Sequence, residues 1–159
     1  MFLLALSLAF FHVPINGTPL NVTIDDTSSR ISYAGNWEAS STHLSGLDYG
    51  GSHTLSSDNA ASATFKFNGV AVYYLSPRWP YAVSTRLSLD GNTPVLVNLT
   101  DPNASPTPAG GSESAPYSVL WSATGLTNMS HTVVATYGNY IIVDGFMCVY
   151  FSLHFYPKE

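Results

Sequence analysis

Short stretches in which apolar and polar residues alternate run along most of the chain and predict β-strands. The clearest is residues 63–75, ATFKFNGVAVYYL. Its central Asn68-Gly69 pair is typical of a two-residue type I′ hairpin turn, because both positions need positive φ. The predicted cross-strand pairs place six side chains on one buried face: Phe67 with Val70, Phe65 with Val72, and Ala63 with Tyr74. This pattern predicts a hairpin at the centre of an all-β core.

Other segments with the same pattern predict the remaining strands. They are residues 20–26, 30–37, 53–55, 83–89, 95–99, 117–122, 131–136 and 141–147. A three-residue turn at 90–92 fits a register with Leu87 opposite Val95. A further turn is predicted at 125–128, and two prolines predict a break in the sheet at 77–81. Short strands with no helical periodicity predict a two-sheet antiparallel β-sandwich, or jelly roll.

The 159 residues suffice for one domain. An apolar run at 2–11, too short to cross a bilayer, predicts a signal peptide at 1–19; a buried first strand is the alternative. The sandwich is expected at 20–147, with a mobile Pro-, Gly- and Ser-rich loop at 101–116. Residues 148–159 are expected to form an atypical tail. No membrane span is predicted near this end, since Asp144 interrupts the apolar stretch.

Composition narrows the set of partners. Only 9% of the residues are charged, and the net charge is −5 with five Lys and Arg. Without a basic patch, nucleic acids and anionic membranes are not expected partners. Cys148 is the only cysteine, which excludes an intrachain disulfide and favours a buried free thiol over pairing between chains.

Five Asn-x-Ser/Thr triplets support a secretory route, and Asn16 is expected to be lost with the signal. The other four predicted glycosylation sites are Asn21, Asn98, Asn103 and Asn128. Together with the predicted signal peptide, they favour a secreted or cell-surface glycoprotein.

Several phrases along the chain carry a resemblance to a known module. They are IDD at 24–26, YAGNW at 33–37, ATFKFNGVAVY at 63–73, SLDG at 88–91, GL at 125–126 with HTV at 131–133, and IVDGF at 142–146. The set resembles the galactose-binding-domain-like jelly roll of fungal secreted and single-pass cell-surface proteins. The resemblance covers about residues 20–147 and implies a two-sheet antiparallel sandwich.

The segment Arg78-Trp79-Pro80-Tyr81 is the best candidate for ligand contact. Aromatic rings in loops can cover the apolar face of a sugar, and Arg78 can donate hydrogen bonds to hydroxyls. The alternative is that Trp79 closes one end of the sandwich and Arg78 has a structural partner. Tyr49 and His53 are candidates for the same rim, although a structural role for His53 is favoured.

Metal binding and catalysis are not predicted. The resemblance implies that Asp25, Asp26 and Asp144 could hold a structural calcium ion, but no EF-hand spacing is present, which favours turn capping and pairing with Arg30. No catalytic motif occurs. Three other acids, Glu38, Asp48 and Asp58, lie in Ser-rich turns, where a solvated or capping role is expected.

These observations favour a non-catalytic, carbohydrate-binding module that acts at the cell wall or on an external polysaccharide, with no cofactor. One alternative is an ectodomain that contacts proteins or acts as a spacer, with no small ligand. A glycoside-active enzyme is the third hypothesis, which a pair of carboxylates in one deep cleft would favour. A concave aromatic pocket at a loop end supports the first hypothesis, whereas a flat apolar patch on a sheet supports the second.

Overall fold

The computed structural model describes residues 17–151, so most of the predicted signal peptide, Asn16 and the end of the predicted tail lie outside the described residues. Between residues 17 and 151 the chain has nine β-strands, two single 3₁₀ turns and no α-helix. The strands are β1 (Pro19–Asp25), β2 (Ile31–Ala34), β3 (Thr54–Ser56), β4 (Ser62–Arg78), β5 (Ser84–Leu89), β6 (Val95–Asn98), β7 (Ala115–Tyr137), β8 (Ile141–Val143) and β9 (Gly145–Phe151). No helix in this range is long and apolar enough to cross a membrane.

Two long strands, β4 and β7, organise the sandwich. The antiparallel order is β1-β9-β4-β7-β5-β6, with β2 also beside β4, while β3 and β8 form a small separate sheet. The first half of β4 pairs with β2, and the second half pairs with β9. Phe65 in the first half stacks on Phe146 of β9, with ring centroids 4.9 Å apart. The two halves of β4 therefore belong to facing layers, which enclose the core between them.

The predicted hairpin at Asn68-Gly69 is wrong, because β4 runs through it as one strand. Asn68 lies opposite Ser130 and Gly69 opposite Met129, and neither residue has positive φ. The pairing with β7 shifts between Gly69 and Ala71. After such a β-bulge, the apolar residues that would have continued on one face of the strand fall at positions of the opposite parity. A two-residue turn produces the same change in the sequence pattern. The predicted burial is confirmed for five of the six residues, Ala63, Phe65, Phe67, Val72 and Tyr74, whereas Val70 is only half-buried. Their predicted cross-strand pairing is wrong.

A glycine is required at position 69 because β9 approaches β4 closely at this point. A β-carbon on Gly69 would collide with the Val149 carbonyl oxygen of β9. The Asn-Gly pair therefore marks a bulge at which β9 packs tightly against β4, instead of a turn.

At the predicted turn (125–128) and at the start of the predicted break (77–81) the strand continues, but its pairing register with the neighbouring strand shifts. β7 continues through 125–128, with positive φ at Gly125 and a shifted register against β4. Pro77 lies within β4, at the third register irregularity of the β4–β7 pair, between Ser76 and Arg78. A bulge tolerates a proline because it lacks a regular ladder hydrogen bond.

The predicted register of the β5–β6 pair is confirmed. Leu87 lies opposite Val95 and Thr85 opposite Val97. The final predicted strand is divided at Asp144, and its second part, β9, continues to Phe151. Cys148 is a buried free thiol within β9, where it lies opposite Val22 of β1 and opposite Val72 of β4.

Candidate functional site

A cleft of about 550 Å³ opens at the end of the sandwich where β4 leads into Trp79. Its volume falls in the usual range for small-molecule sites. Two segments between strands supply half of its lining: residues 42–44, and residues 110–113 before β7. The cleft is therefore a concave, loop-walled feature and not a flat patch on a sheet face.

Trp79 and His53 form the buried inner part of the cleft. Trp79 is 3% exposed and is held by backbone hydrogen bonds to Leu99 and Asp101. The His53 ring meets the Trp79 ring edge to face, with centroids 5.4 Å apart. Because Trp79 is so buried, it stabilises this end of the core and offers a ligand little surface.

Tyr81 and Tyr140 are the more accessible aromatic residues of the cleft, each half-buried. The Tyr81 hydroxyl donates a 2.8 Å hydrogen bond to the Gly111 carbonyl. This bond joins the chain after β4 to the segment before β7, so that Tyr81 helps to fix one wall of the cleft.

The 101–116 segment makes several hydrogen bonds where it forms that wall. Thr107 donates its backbone N–H to Pro80, and Ser114 donates its backbone N–H to Arg78. The carboxylate of Asp101 accepts hydrogen bonds from the Asn103 backbone and the Ser114 hydroxyl, which lower the pKa of Asp101. The wall is thus attached to the sandwich at several points.

Two histidines and two glutamates give the cleft its polar character. The His43 and His53 rings stack with centroids 4.9 Å apart. His43 Nε2 lies 3.0 Å from a carboxylate oxygen of Glu38. His53 Nδ1 lies 3.4 Å from an oxygen of Glu113. These side chains present hydrogen-bond donors and acceptors to the cleft.

Asp48 lies behind His53 and does not line the cleft. Its Oδ2 atom is 2.9 Å from His53 Nδ1. Burial raises the pKa of Asp48, and the hydrogen bond with His53 opposes that rise. The expectation of a solvated Asp48 is therefore wrong, whereas Asp58 caps a turn by accepting from Ala60, as expected. One oxygen or nitrogen from each of Asp48, His53 and Glu113 lies within 4.8 Å of the others, close enough to share a metal ion.

The structure brings three of the five predicted ligand-binding residues together. His53, Trp79 and Tyr81 line the cleft, whereas Arg78 and Tyr49 do not. Arg78 Nη1 donates to the Thr100 carbonyl at 3.0 Å, which is the structural role given above as the alternative. The Tyr49 ring packs edge to face against Tyr117.

A second cluster, of buried acids, lies beyond Asp48. Asp26 donates its backbone N–H to the Asp144 carbonyl, and Asp25 lies opposite Gly145 in the β1–β9 pair. Burial raises the pKa of Asp144 to about 9, and the nearby charges of Asp48, Asp26 and Asp25 add to the shift.

Several oxygens in this acid cluster have no hydrogen-bond partner. The buried, unpartnered atoms are Oδ1 of Asp25, Asp26 and Asp48 and both carboxylate oxygens of Asp144. The expected pairing with Arg30 is not found: the Arg30 guanidinium lies 5.5 Å from the centre of the Phe65 ring, and the ion pairs found within residues 17–151 all involve histidine. Carboxylate oxygens are the ligands that calcium prefers, but among residues 17–151 the one group of three metal-ligating side chains close enough to share an ion is Asp48, His53 and Glu113. The four acids of this cluster therefore do not form a ready cation site.

Among the cleft residues that sequence reasoning missed are two acids, a histidine and a tyrosine: Glu38, Glu113, His43 and Tyr140. Glu38 and His43 come from the loop between β2 and β3, whereas Glu113 and Tyr140 come from two distant segments, so no local motif links all four. The one available signal was the shared occurrence of His43 and His53 within a Ser- and Gly-rich segment.

Comparison with solved structures identifies the fold. An exo-β-1,3-galactanase from Phanerochaete chrysosporium matches 82% of this chain at 16% identity, with a TM-score of 0.55. A family two carbohydrate esterase from Cellvibrio japonicus matches 89% at 10% identity and a TM-score of 0.52. An α-1,3-glucanase from Streptomyces thermodiastaticus matches 87% at 12% identity and a TM-score of 0.51. The chain shares its β-sandwich fold with part of each of these proteins.

The predicted all-β antiparallel sandwich is therefore confirmed, and these neighbours are consistent with a galactose-binding-like fold. This β-sandwich spans 29%, 37% and 27% of the three neighbours' own chains. No protein-family model and no curated protein sequence matches it.

Proposed function

We propose that this β-sandwich is a secreted, non-catalytic carbohydrate-binding module of the galactose-binding-like type found in fungal surface proteins, and that sugars bind in the cleft. The observation that carries the proposal is the concave site at a loop end, in which Tyr81 and Tyr140 lie beside His43, Glu38 and Glu113. Small-molecule sites commonly combine such apolar surface with a few convergent polar groups.

The cleft suits the two kinds of surface that a sugar presents. Half-buried tyrosine rings can contact the apolar C–H face of a pyranose ring. Carboxylates accept hydrogen bonds from hydroxyls, and imidazole N–H groups donate to them. The neighbours with the same fold include a galactanase crystallised with β-1,3-galactotriose, which makes a polysaccharide partner a reasonable choice.

A non-catalytic role is favoured by the position of the acids. A glycosidase needs a general acid with a raised pKa facing the scissile bond. The acids whose pKa is raised by burial are Asp26, Asp48 and Asp144, and none of them lines the cleft.

The exposure of the glycosylation sites supports the secreted part of the proposal. The asparagines of all four triplets within the described residues are exposed: Asn21, Asn98, Asn103 and Asn128. An oligosaccharyltransferase could therefore add a glycan without opening the core.

Binding of the purified protein to soluble polysaccharides tests the main proposal. Retardation in gels that contain β-1,3-galactan, mannan, β-glucan or chitosan is expected for at least one polymer. Replacing Tyr81 or Tyr140 with alanine should weaken that retardation about tenfold, because stacked aromatic contacts dominate such sites. Tyr117→Ala is the matched control, since Tyr117 is 43% exposed and lies outside the cleft. Loss of retardation by the control alone, or no retardation in any gel, would contradict the proposal.

Hydrolysis is the second candidate function, because Glu38 and Glu113 line one cleft. The polymer that binds should be incubated with the protein and assayed for new reducing ends. Release that disappears in the Glu113→Gln variant would favour the enzyme over the binding module.

A further inference from the structure

The cleft carries acidic side chains without a neighbouring strong base. Glu38 and Glu113 both line it, and buried Asp48 lies behind His53. Residues 17–151 contain four Lys or Arg side chains, and none of the four lines the cleft: Arg30, Lys66, Arg78 and Arg86. Arg78, which directly precedes the buried Trp79 of the cleft, already donates hydrogen bonds to the backbone carbonyls of Asn98 and Thr100. The potential inside the cleft is therefore negative whenever its histidines are neutral.

His43 and His53 leave much of the hydrogen-bond accepting capacity of Glu38 and Glu113 available to a ligand. His53 Nδ1 faces both Asp48, at 2.9 Å, and Glu113, at 3.4 Å. A single N–H can donate well to only one of them, and the shorter contact favours Asp48. Glu113 therefore keeps most of its lone pairs for a ligand, although its side chain is only 8% exposed. A carboxylate with few donors in a partly buried place gains from a cationic partner.

Glu38 offers a second acceptor at the mouth of the cleft. Its side chain is 54% exposed, and the contact with His43 engages one of its two oxygens. The cleft thus presents one exposed and one enclosed carboxylate to whatever binds between its walls.

We propose that the cleft selects sugars that carry a protonated amino group, such as oligosaccharides of glucosamine, over neutral sugars and uronic acids. This inference rests on the proposed function, and it names the class of sugar. An ammonium group has three donors and a positive charge, which match an acceptor-only pair of glutamates. A uronic acid would add a third carboxylate to the same space, and an N-acetylated sugar would remove the charge.

Calorimetric titration of the full chain with four matched hexasaccharides tests this inference. The four are glucosamine, N-acetylglucosamine, glucose and galacturonic acid hexamers, in a buffer in which the amines are protonated. The glucosamine hexamer should bind about tenfold more tightly than the two neutral hexamers, and the galacturonate hexamer most weakly. Added salt should weaken glucosamine binding and leave neutral-sugar binding nearly unchanged.

Isosteric variants assign the preference to particular residues. Glu113→Gln and Glu38→Gln should each lower affinity for the glucosamine hexamer about five- to tenfold, with less effect on the glucose hexamer. Ser122→Lys is the charge-matched control: it raises the net charge by one, as each Gln variant does, and Ser122 is exposed on β7 opposite Tyr73. It should leave the order of affinities unchanged. If Glu113→Gln fails to fold, as judged by its thermal melt, Glu38→Gln still provides the test.

The outcomes separate the two proposals. The inference would be overturned if a neutral or uronic hexamer bound as tightly as the glucosamine hexamer, or more tightly, and neither Gln variant changed the affinities. Sugar binding itself would then still stand. Absence of binding by all four hexamers, and by the polysaccharides tested above, would overturn both.

Discussion

Asp144 combines full burial with an unpartnered carboxyl group. It separates β8 from β9, is 0% exposed, and has no hydrogen-bond partner on either oxygen. An ionised carboxylate in such a place is costly, so burial favours the protonated form of Asp144 and raises its pKa to about 9. This shift makes the stability of the fold depend on pH.

In metal-free buffer, stability should fall as pH rises from about 4 to about 9. Between these values Asp144 is protonated in the folded protein, where its pKa is about 9, and ionised in the unfolded chain, whose pKa is near 3.8. The folded state then binds the extra proton, so raising the pH favours unfolding. Asp144→Asn should flatten this dependence and raise stability near pH 8 by about 1–3 kcal/mol. Urea melts across the pH range measure both effects, and a wild-type curve without a slope would contradict the argument.

Among the strands, β4 depends most on a single small residue. Gly69 sits at the bulge, where the Val149 carbonyl oxygen of β9 occupies the space of a β-carbon. Gly69→Ala should destabilise the fold by about 1–3 kcal/mol, because the backbone of β9 must move. Gly46→Ala is the control, since nothing lies within 4 Å of its added β-carbon and its φ is ordinary. Denaturant melts of the two variants should differ; equal stability would show that β9 adapts without cost.

Alternation along the chain predicted where the strands lie better than it predicted how they connect. The register of β5 against β6 followed from a short local turn, so neighbouring residues contained the information. The Asn68-Gly69 prediction failed because a bulge and a tight turn produce the same shift of the apolar face. Only the packing of β9 against Gly69, which is distant in sequence, distinguishes the two.

The residues that line the cleft were likewise only partly predictable from local sequence. Trp79 and Tyr81 stood out because they are large aromatic residues on either side of Pro80, and His53 because it followed a Gly-Gly turn. Glu38 and Glu113 carried no such signal, since isolated acids in polar loops are usually solvated. Their significance depends on the 110–113 segment folding back beside the 42–44 segment, which no local pattern encodes.

For the molecule as a whole, exposure of the predicted glycosylation sites leads to a direct prediction. Expression through a eukaryotic secretory pathway should give a protein whose mass falls on enzymatic deglycosylation. Asn21→Gln, Asn103→Gln and Asn128→Gln should each remove at most one glycan without loss of fold, because these side chains are exposed. Asn98→Gln should also lower stability by about 1 kcal/mol, since Asn98 Oδ1 accepts a hydrogen bond from the Thr100 backbone. Mass spectrometry of the intact protein counts the glycans, and an unmodified secreted product would contradict the assignment.

The passage of β4 and β7 from one layer into the other bears on how the protein unfolds. Because both layers share the same two strands, neither can detach while its partner stays intact. Amide hydrogens of both halves of β4 should therefore exchange with deuterium through one global opening, with a common free energy of opening under strongly native conditions. Much of that pairing joins residues far apart along the chain, so the polypeptide should also refold slowly for its size.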